Sequence, residues 1–323
     1  MKKVKFIFTG IFLIAVLTVA SAQVHLSFNL EKGEKYEYLM DIKTTSQQSF
    51  GDQTSIGEME IVFKYLIEVT EKTPQEITAQ FTFTQIIYVV SNPRMKMGYH
   101  SKNQVENPTD IDKMLGNMID KVIGQSFVAV IAPDGSIKSV TGMDAVYENM
   151  VSEIEGDEQM AAQLSAQMRS MFTDRSRKNS LDMLLTIYPA KEVVVGDSWN
   201  FEIEIPTNNG SFAYNPKFTL KEISNDVAIV DVIVVIEANP DAESIFSAIQ
   251  TGTILIDVKT GLPISGDITF DSKSSFKNQG MDVQIDSSEK WKTTGSTLSA
   301  NHIHNFTGHN DHFFDQSATQ ELL

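Results

Sequence analysis

Apolar and polar residues alternate along much of the chain. Tyr36, Tyr38, Met40 and Ile42 interleave with Lys35, Glu37 and Asp41. Met59, Ile61, Phe63, Tyr65, Ile67 and Val69 point one way, and Glu58, Glu60, Lys64 and Glu68 the other. Trp199, Phe201, Ile203 and Ile205 alternate with Asn200, Glu202 and Glu204. Ile264, Ile268, Phe270 and Phe276 oppose Asp267, Asp271, Lys273 and Lys277. A period of two over such lengths predicts antiparallel strands with one buried face. Turn residues fall between the runs: Pro133-Asp134-Gly135, Asn208-Asn209-Gly210, Thr260-Gly261 and Asn278-Gln279-Gly280. Strands of about a dozen residues exceed the common length, and long twisted strands curl into a curved sheet, a half-barrel or two stacked meanders. The Glu, Asp and Lys packed along the polar phases argue against a transmembrane barrel.

The period changes between residues 108 and 189. Pro108-Thr109-Asp110 is a helix start, followed by Ile111, Leu115, Met118, Ile119 and Val122 at helical spacing. Val146, Met150, Val151 and Ile154 suggest a second helix. Met160, Leu164, Met168 and Met171 form a stripe on a third, and Leu181, Leu184 and Leu185 mark a last one ending before Pro189. The predicted fold class is therefore mainly β with a helical insert (α+β), the helices covering one face of long antiparallel strands.

The chain also resembles itself. Gly33-Glu34-Lys35-Tyr36 to Ile42 matches Gly196-Asp197-Ser198-Trp199 to Ile205, in the order Gly, acid, spacer, then alternating aromatic and aliphatic residues. A weaker correspondence joins Val128–Gly135 to Leu255–Gly261, each a strand running into a Gly turn. Duplication predicts that Tyr36 and Trp199 begin equivalent strands, both on the buried face. The expected organisation is a signal peptide over 1–22, a first β-meander with one helix over 23–142, and a helical insert over 143–189. A second meander follows over 190–295, and a polar, disordered tail over 296–323.

The doubled Gly-acid-x-aromatic start, the Val193, Val195, Gly196, Asp197, Ser198, Trp199 stretch and Tyr188-Pro189 before it carry a resemblance. Over residues 25 to 295 the chain is similar to an uncharacterised family of exported bacterial proteins, a domain of unknown function. Its motifs are strand-start and turn signals, so the resemblance implies an exported β-rich domain and brings no catalytic residues. More distantly, long strands with helices over one face resemble envelope lipoprotein carriers built as half-barrels.

Composition adds location. Lys2, Lys3 and Lys5 precede an uncharged apolar run from Phe6 to Val19 and an Ala20-Ser21-Ala22 exit, the layout of a secretory signal peptide. Gln23 stands where a lipoprotein would carry Cys. Cleavage after Ala22 removes three of 26 basic residues, leaving 23 against 42 acidic ones, a formal charge of −19. That surface repels nucleic-acid phosphates and anionic headgroups, so nucleic acid is not an expected partner. No further segment reaches membrane-spanning length. The chain has no cysteine, which removes disulfides, thiolate metal sites and Cys nucleophiles. Export without cysteine fits a periplasm, with the extracellular space as the other destination.

Candidate chemistry is sparse. The sequence has no G-x-S-x-G elbow, Walker loop, dinucleotide fingerprint or H-E-x-x-H pair, and no enzyme is expected. His302, His304, His309 and His312 cluster near the C-terminus, where an H-x-H pair and its neighbours offer an N/O set for a divalent metal. An Asn- and His-rich extension without fixed structure accounts for the same residues, and no cofactor is expected. Met95, Met97 and His100 read as part of a methionine-rich core rather than a copper site. Ten of the 14 methionines lie between Met95 and Met183, and pliable Met side chains suit a surface that repacks. Met114, Met118, Met160, Leu164, Met168 and Met171 are accordingly the candidate lid over an apolar cavity. The expected role is non-enzymatic: binding an apolar ligand or an envelope protein. The alternatives are a structural or interaction module with a filled core, and metal binding through the tail.

Overall fold

The structure is a computed structural model. It describes residues 23–51, 53–93, 95–102, 107–152, 158–207, 210–236, 245–278 and 281–298. The alternating runs form long strands: β1 (Lys35–Phe50), β2 (Gln53–Lys72), β3 (Ile77–Asn92) and the shorter β4 (Met95–His100). The helical stretch holds α1 (Asp110–Asp120), the hairpin β5 (Ser126–Ile131) and β6 (Ile137–Thr141), then α2 (Met143–Val151), α3 (Glu158–Arg169) and α4 (Asp174–Leu185). Next come β7 (Ser198–Asn200), β8 (Ile203–Thr207), β9 (Gly210–Tyr214), β10 (Lys217–Ser224), β11 (Val227–Ile236), β12 (Ile245–Asp257), β13 (Pro263–Asn278) and β14 (Met281–Leu298).

Twelve strands make one open antiparallel sheet in the order β6-β5-β3-β2-β1-β14-β13-β12-β11-β10-β7, with β4 beside β5 on the free edge of β3. Of the expected alternatives, the single open sheet is the outcome, and it does not close into a barrel. β1 and β14 pair along their length, from Lys35 opposite Leu298 to Phe50 opposite Val283, and join the two halves at the middle.

Tyr36, Tyr38 and Met40 on β1, and Phe63, Tyr65 and Ile67 on β2, are buried on one face. The helices pack there because each presents an apolar stripe. Thr109 caps α1 through a capping box with Asp112, whose Oδ1 also accepts the Gly98 amide at 2.8 Å and so ties α1 to β4. Thr173 caps α4 in the same way with Ser176, and Asp182 of α4 accepts the Ile137 amide at 2.7 Å.

The run from Trp199 to Ile205 is not one strand. β7 ends at Asn200, and β8 and β9 pair with each other as a separate two-stranded sheet outside the main one. Pro216 follows β9; lacking an N–H, it cannot donate to a ladder, so pairing resumes at Lys217. Trp199 is half-buried, stacked on Phe218 with ring centroids 5.9 Å apart, and its Nε1 donates to the Ile187 carbonyl at 2.9 Å.

The N-terminal segment clamps two turns. Phe28 N–H donates to Pro133 O and Asn29 N–H to Thr260 O, both at 2.8 Å, while Val24 and Val193 exchange a pair of bonds at 2.9 Å. Tyr188 adds a hydrogen bond from its hydroxyl to the Gly261 carbonyl.

Candidate functional site: a buried arginine in an aromatic cage

α4 turns Arg177, Leu181 and Leu185 toward the sheet at four-residue intervals, and all three are buried. The first is a cation in a position where the stripe calls for a leucine. Its guanidinium carbon lies 5.0 Å from the Phe63 ring centroid, 5.7 Å from Phe127, and 5.8 Å from Tyr65 and Phe83. The cage follows from strand alternation: Phe63 and Tyr65 are two apart on β2, Phe81 and Phe83 on β3, and Phe81 sits opposite Phe127 of β5. Phe172, just before the α4 cap, closes it with an edge contact to Phe63 at 6.0 Å.

Arg177 is 3% exposed, and no carboxylate is paired with it among the described residues. Nη1 donates to Tyr65 Oη at 2.9 Å, Nη2 makes a long contact to the Met171 carbonyl at 3.4 Å, and Nε has no partner. Burial pushes the Tyr65 phenol up to about 12, against the pull of Arg177, so Tyr65 stays neutral. It accepts from Arg177 and keeps its own O–H.

A slot runs from this cage between α4 and the sheet. Its walls include Leu30, Met40, Ile67, Leu181, Leu185 and Leu262. Ser180 and Leu184, both half-buried, also line it. The free space within is about 20 Å³, room for one water molecule.

The expected lid residues lie elsewhere. Met114 and Met118 are buried on α1, and Leu164 and Met168 on α3, while Met171 is half-buried and Met160 is 38% exposed. None of the six lines the slot beneath α4. His302, His304, His309 and His312 lie outside the described residues, as do residues 1–22, where a signal peptide is expected. Among the described residues, no group of three or more His, Asp and Glu side chains is placed to hold a metal ion. Nor, among them, is any helix long and apolar enough to cross a membrane. The sequence reading missed Arg177, although its register with Leu181 and Leu185 was a usable signal.

The sheet face away from the helices carries a second feature. Thr45, Ser288, Asp271, Ile249 and Val235 form one register row across β1, β14, β13, β12 and β11, and line an open trough of about 780 Å³. Val235 is 57% exposed and Ile249 43% exposed at its apolar end. On the same face of β1 and β2, Glu60 is buried with Oε1 3.0 Å from Lys43 Nζ. Burial holds neighbouring Asp41 above the usual carboxylate range, with Lys43 pulling it down and Glu60 up.

Residues 74–277 match the profile of a family of unknown function, DUF6263. The chain belongs to this family. The DUF6263 match runs from the start of β3 to the end of β13, taking in Phe81, Phe83, Phe127 and Arg177, while Phe63 and Tyr65 precede it. No curated protein matches the chain in sequence. Among solved structures, it is similar to one titled for lipid–protein interactions in lipovitellin, at 10% identity and a TM-score of 0.45. That match covers 84% of this chain and 26% of lipovitellin, so the chain spans about a quarter of that protein's length. It is also similar to OccK7 of Pseudomonas aeruginosa, at 8% identity and a TM-score of 0.21, covering 83% of this chain and 100% of that one. The β domain of the Bordetella autotransporter BrkA gives 8% identity and a TM-score of 0.21, over 82% and 99% of the two chains.

Proposed function

We propose that this DUF6263 protein is an exported, periplasmic, non-enzymatic binding protein for an apolar ligand. The ligand enters the slot between α4 and the sheet. The observation that carries this reading is the combination of leucine walls with one buried, uncapped arginine. Binding sites are mostly apolar with a few placed polar groups, and this slot has that character. Its small free volume means that α4 gives way on binding. α4 is a single 12-residue helix that packs mainly on β6, the edge strand of the sheet. Native mass spectrometry of protein purified from its own cells, followed by solvent extraction, tests the reading. A co-purifying amphiphile supports it. Ligand-free protein that also fails to take up the neutral dye Nile red overturns it.

The trough favours a second reading, an interaction module whose core is simply filled. Exposed Val235, Ile249, Ile233 and Ile245 on one sheet face are the kind of apolar surface that a partner covers. Under this reading V235K with I249K abolishes capture of an envelope protein in a pull-down and leaves dye uptake unchanged.

A further inference from the structure

A guanidinium taken out of water costs several kcal/mol unless a counter-charge and hydrogen bonds compensate it. The chain has 42 acidic residues against 26 basic ones, yet pairs none of them with Arg177 among those described. The four ring faces return part of the cost, a desolvated cation–π contact contributing about 2 kcal/mol or more, but they supply no counter-charge and no hydrogen-bond acceptor for Nε. Tyr65 Oη and the Met171 carbonyl supply two acceptors, and Nε is left without one. A purely structural side chain here would be better as Leu or Met, because apolar replacements of buried charges are often neutral or stabilising.

We propose that the slot takes a single-chain amphiphile with an anionic head, a carboxylate, which pairs with Arg177 and accepts the free O–H of Tyr65 while its chain lies along Leu181, Leu184, Leu185 and Leu30. The proposal rests on the apolar-ligand reading above and specifies its head group. Arg177 Nε and the second hydrogen of Nη2 form the side of the guanidinium fork that matches the two oxygens of a carboxylate. The leucine walls accept an alkyl chain, and the water-poor setting strengthens the ion pair. An uncharged head at the same place can accept from Nε but brings no counter-charge, and a cationic head meets like charge.

Competition against Nile red, with three probes of equal chain length, tests this in the wild-type protein: dodecanoate, dodecyl maltoside and dodecyltrimethylammonium. The expected result is dodecanoate binding at least tenfold tighter than the other two. In R177M that preference falls below twofold, while Nile red still binds and the melting temperature holds or rises. Equal binding of all three probes to wild type overturns the anionic-head proposal and leaves the apolar-ligand reading standing. A dodecanoate preference that survives in R177M also overturns it. Failure of the dye and every probe to bind removes both. The wild-type comparison decides the matter even if R177M does not fold.

Discussion

Gly33 and Gly196 begin their strands with the same hydrogen bonds. Gly33 N–H donates to Val69 O at 2.8 Å, and Val69 N–H donates back to Glu34 O at 3.2 Å. Gly196 N–H donates to Leu220 O at 2.7 Å, and Leu220 N–H returns to Asp197 O at 3.0 Å. Both glycines have positive φ, +83° and +97°. The N–H of each acid also closes a four-residue turn, Glu34 onto the Glu31 carbonyl and Asp197 onto the Val194 carbonyl. Two residues on, Tyr36 faces Ile67 and Trp199 faces Phe218 in the same relative register.

Glycine substitutions separate conformational strain from steric collision. An added Cβ at Gly33 or Gly196 meets nothing within 4 Å, so G33A and G196A each cost about 1–2 kcal/mol of backbone strain. At Gly135 and Gly261 the Cβ would stand 1.5 Å from Leu185 O and 1.9 Å from Ser27 O. G135A and G261A therefore prevent native packing. Urea midpoints check the first pair, and loss of soluble folded protein checks the second.

The two strand-start aromatics differ in depth, and their alanine variants should differ with it. Tyr36 is fully buried, so Y36A costs about 3–5 kcal/mol. Trp199 is half-buried at the sheet edge, and W199A is expected to cost about half as much. Equal losses in chemical denaturation would contradict this ordering.

Along the methionine stripe of α3, burial predicts unequal outcomes. M168A removes a fully buried side chain and costs about 2–5 kcal/mol. M160A truncates a side chain that is 38% exposed and costs less than M168A. Thermal melts of the two variants provide the check.

Alkali should unfold the protein through its buried phenols. Burial pushes Tyr38, Tyr65, Tyr88 and Tyr214 each up to about 12. Unfolded tyrosines ionise near pH 10. The fold's advantage from keeping them neutral is complete below pH 10 and is lost as pH rises through about 12. The urea midpoint is expected to hold to about pH 9.5 and then fall. Tyrosinate absorbance should rise together with unfolding, and early titration of all eight tyrosines in folded protein would refute the assignment.

The strands of the sheet were legible because alternation is a local property. Tyr36 to Ile42, Met59 to Val69 and Thr109 as a helix start each carry their signal within about ten residues. Sheet order is not local: nothing near Lys35 says that its partner is Leu298. The break after Asn200 was hidden because Trp199, Phe201 and Ile203 alternate as a strand should, while the departure depends on Pro216. Arg177 was masked by Arg175 and Lys178, which make the start of α4 read as a solvated charged face. Only the positions of Leu181 and Leu185 show that one of the three points inward.

The β1–β14 seam also governs the order of events during synthesis. A ribosome delivers β1 before every other described strand and β14 after them, with the whole helical region and twelve further strands between them. Until the final strand emerges, one entire flank of β1 presents open amides and carbonyls, a template for any stray strand. Closing a seam between such distant partners is slow, since chain entropy must be lost before the contacts form. The sheet is thus completed from its centre by its last described strand, and a nascent chain halted before Met281 would be a sheet split down the middle, exposed to self-association.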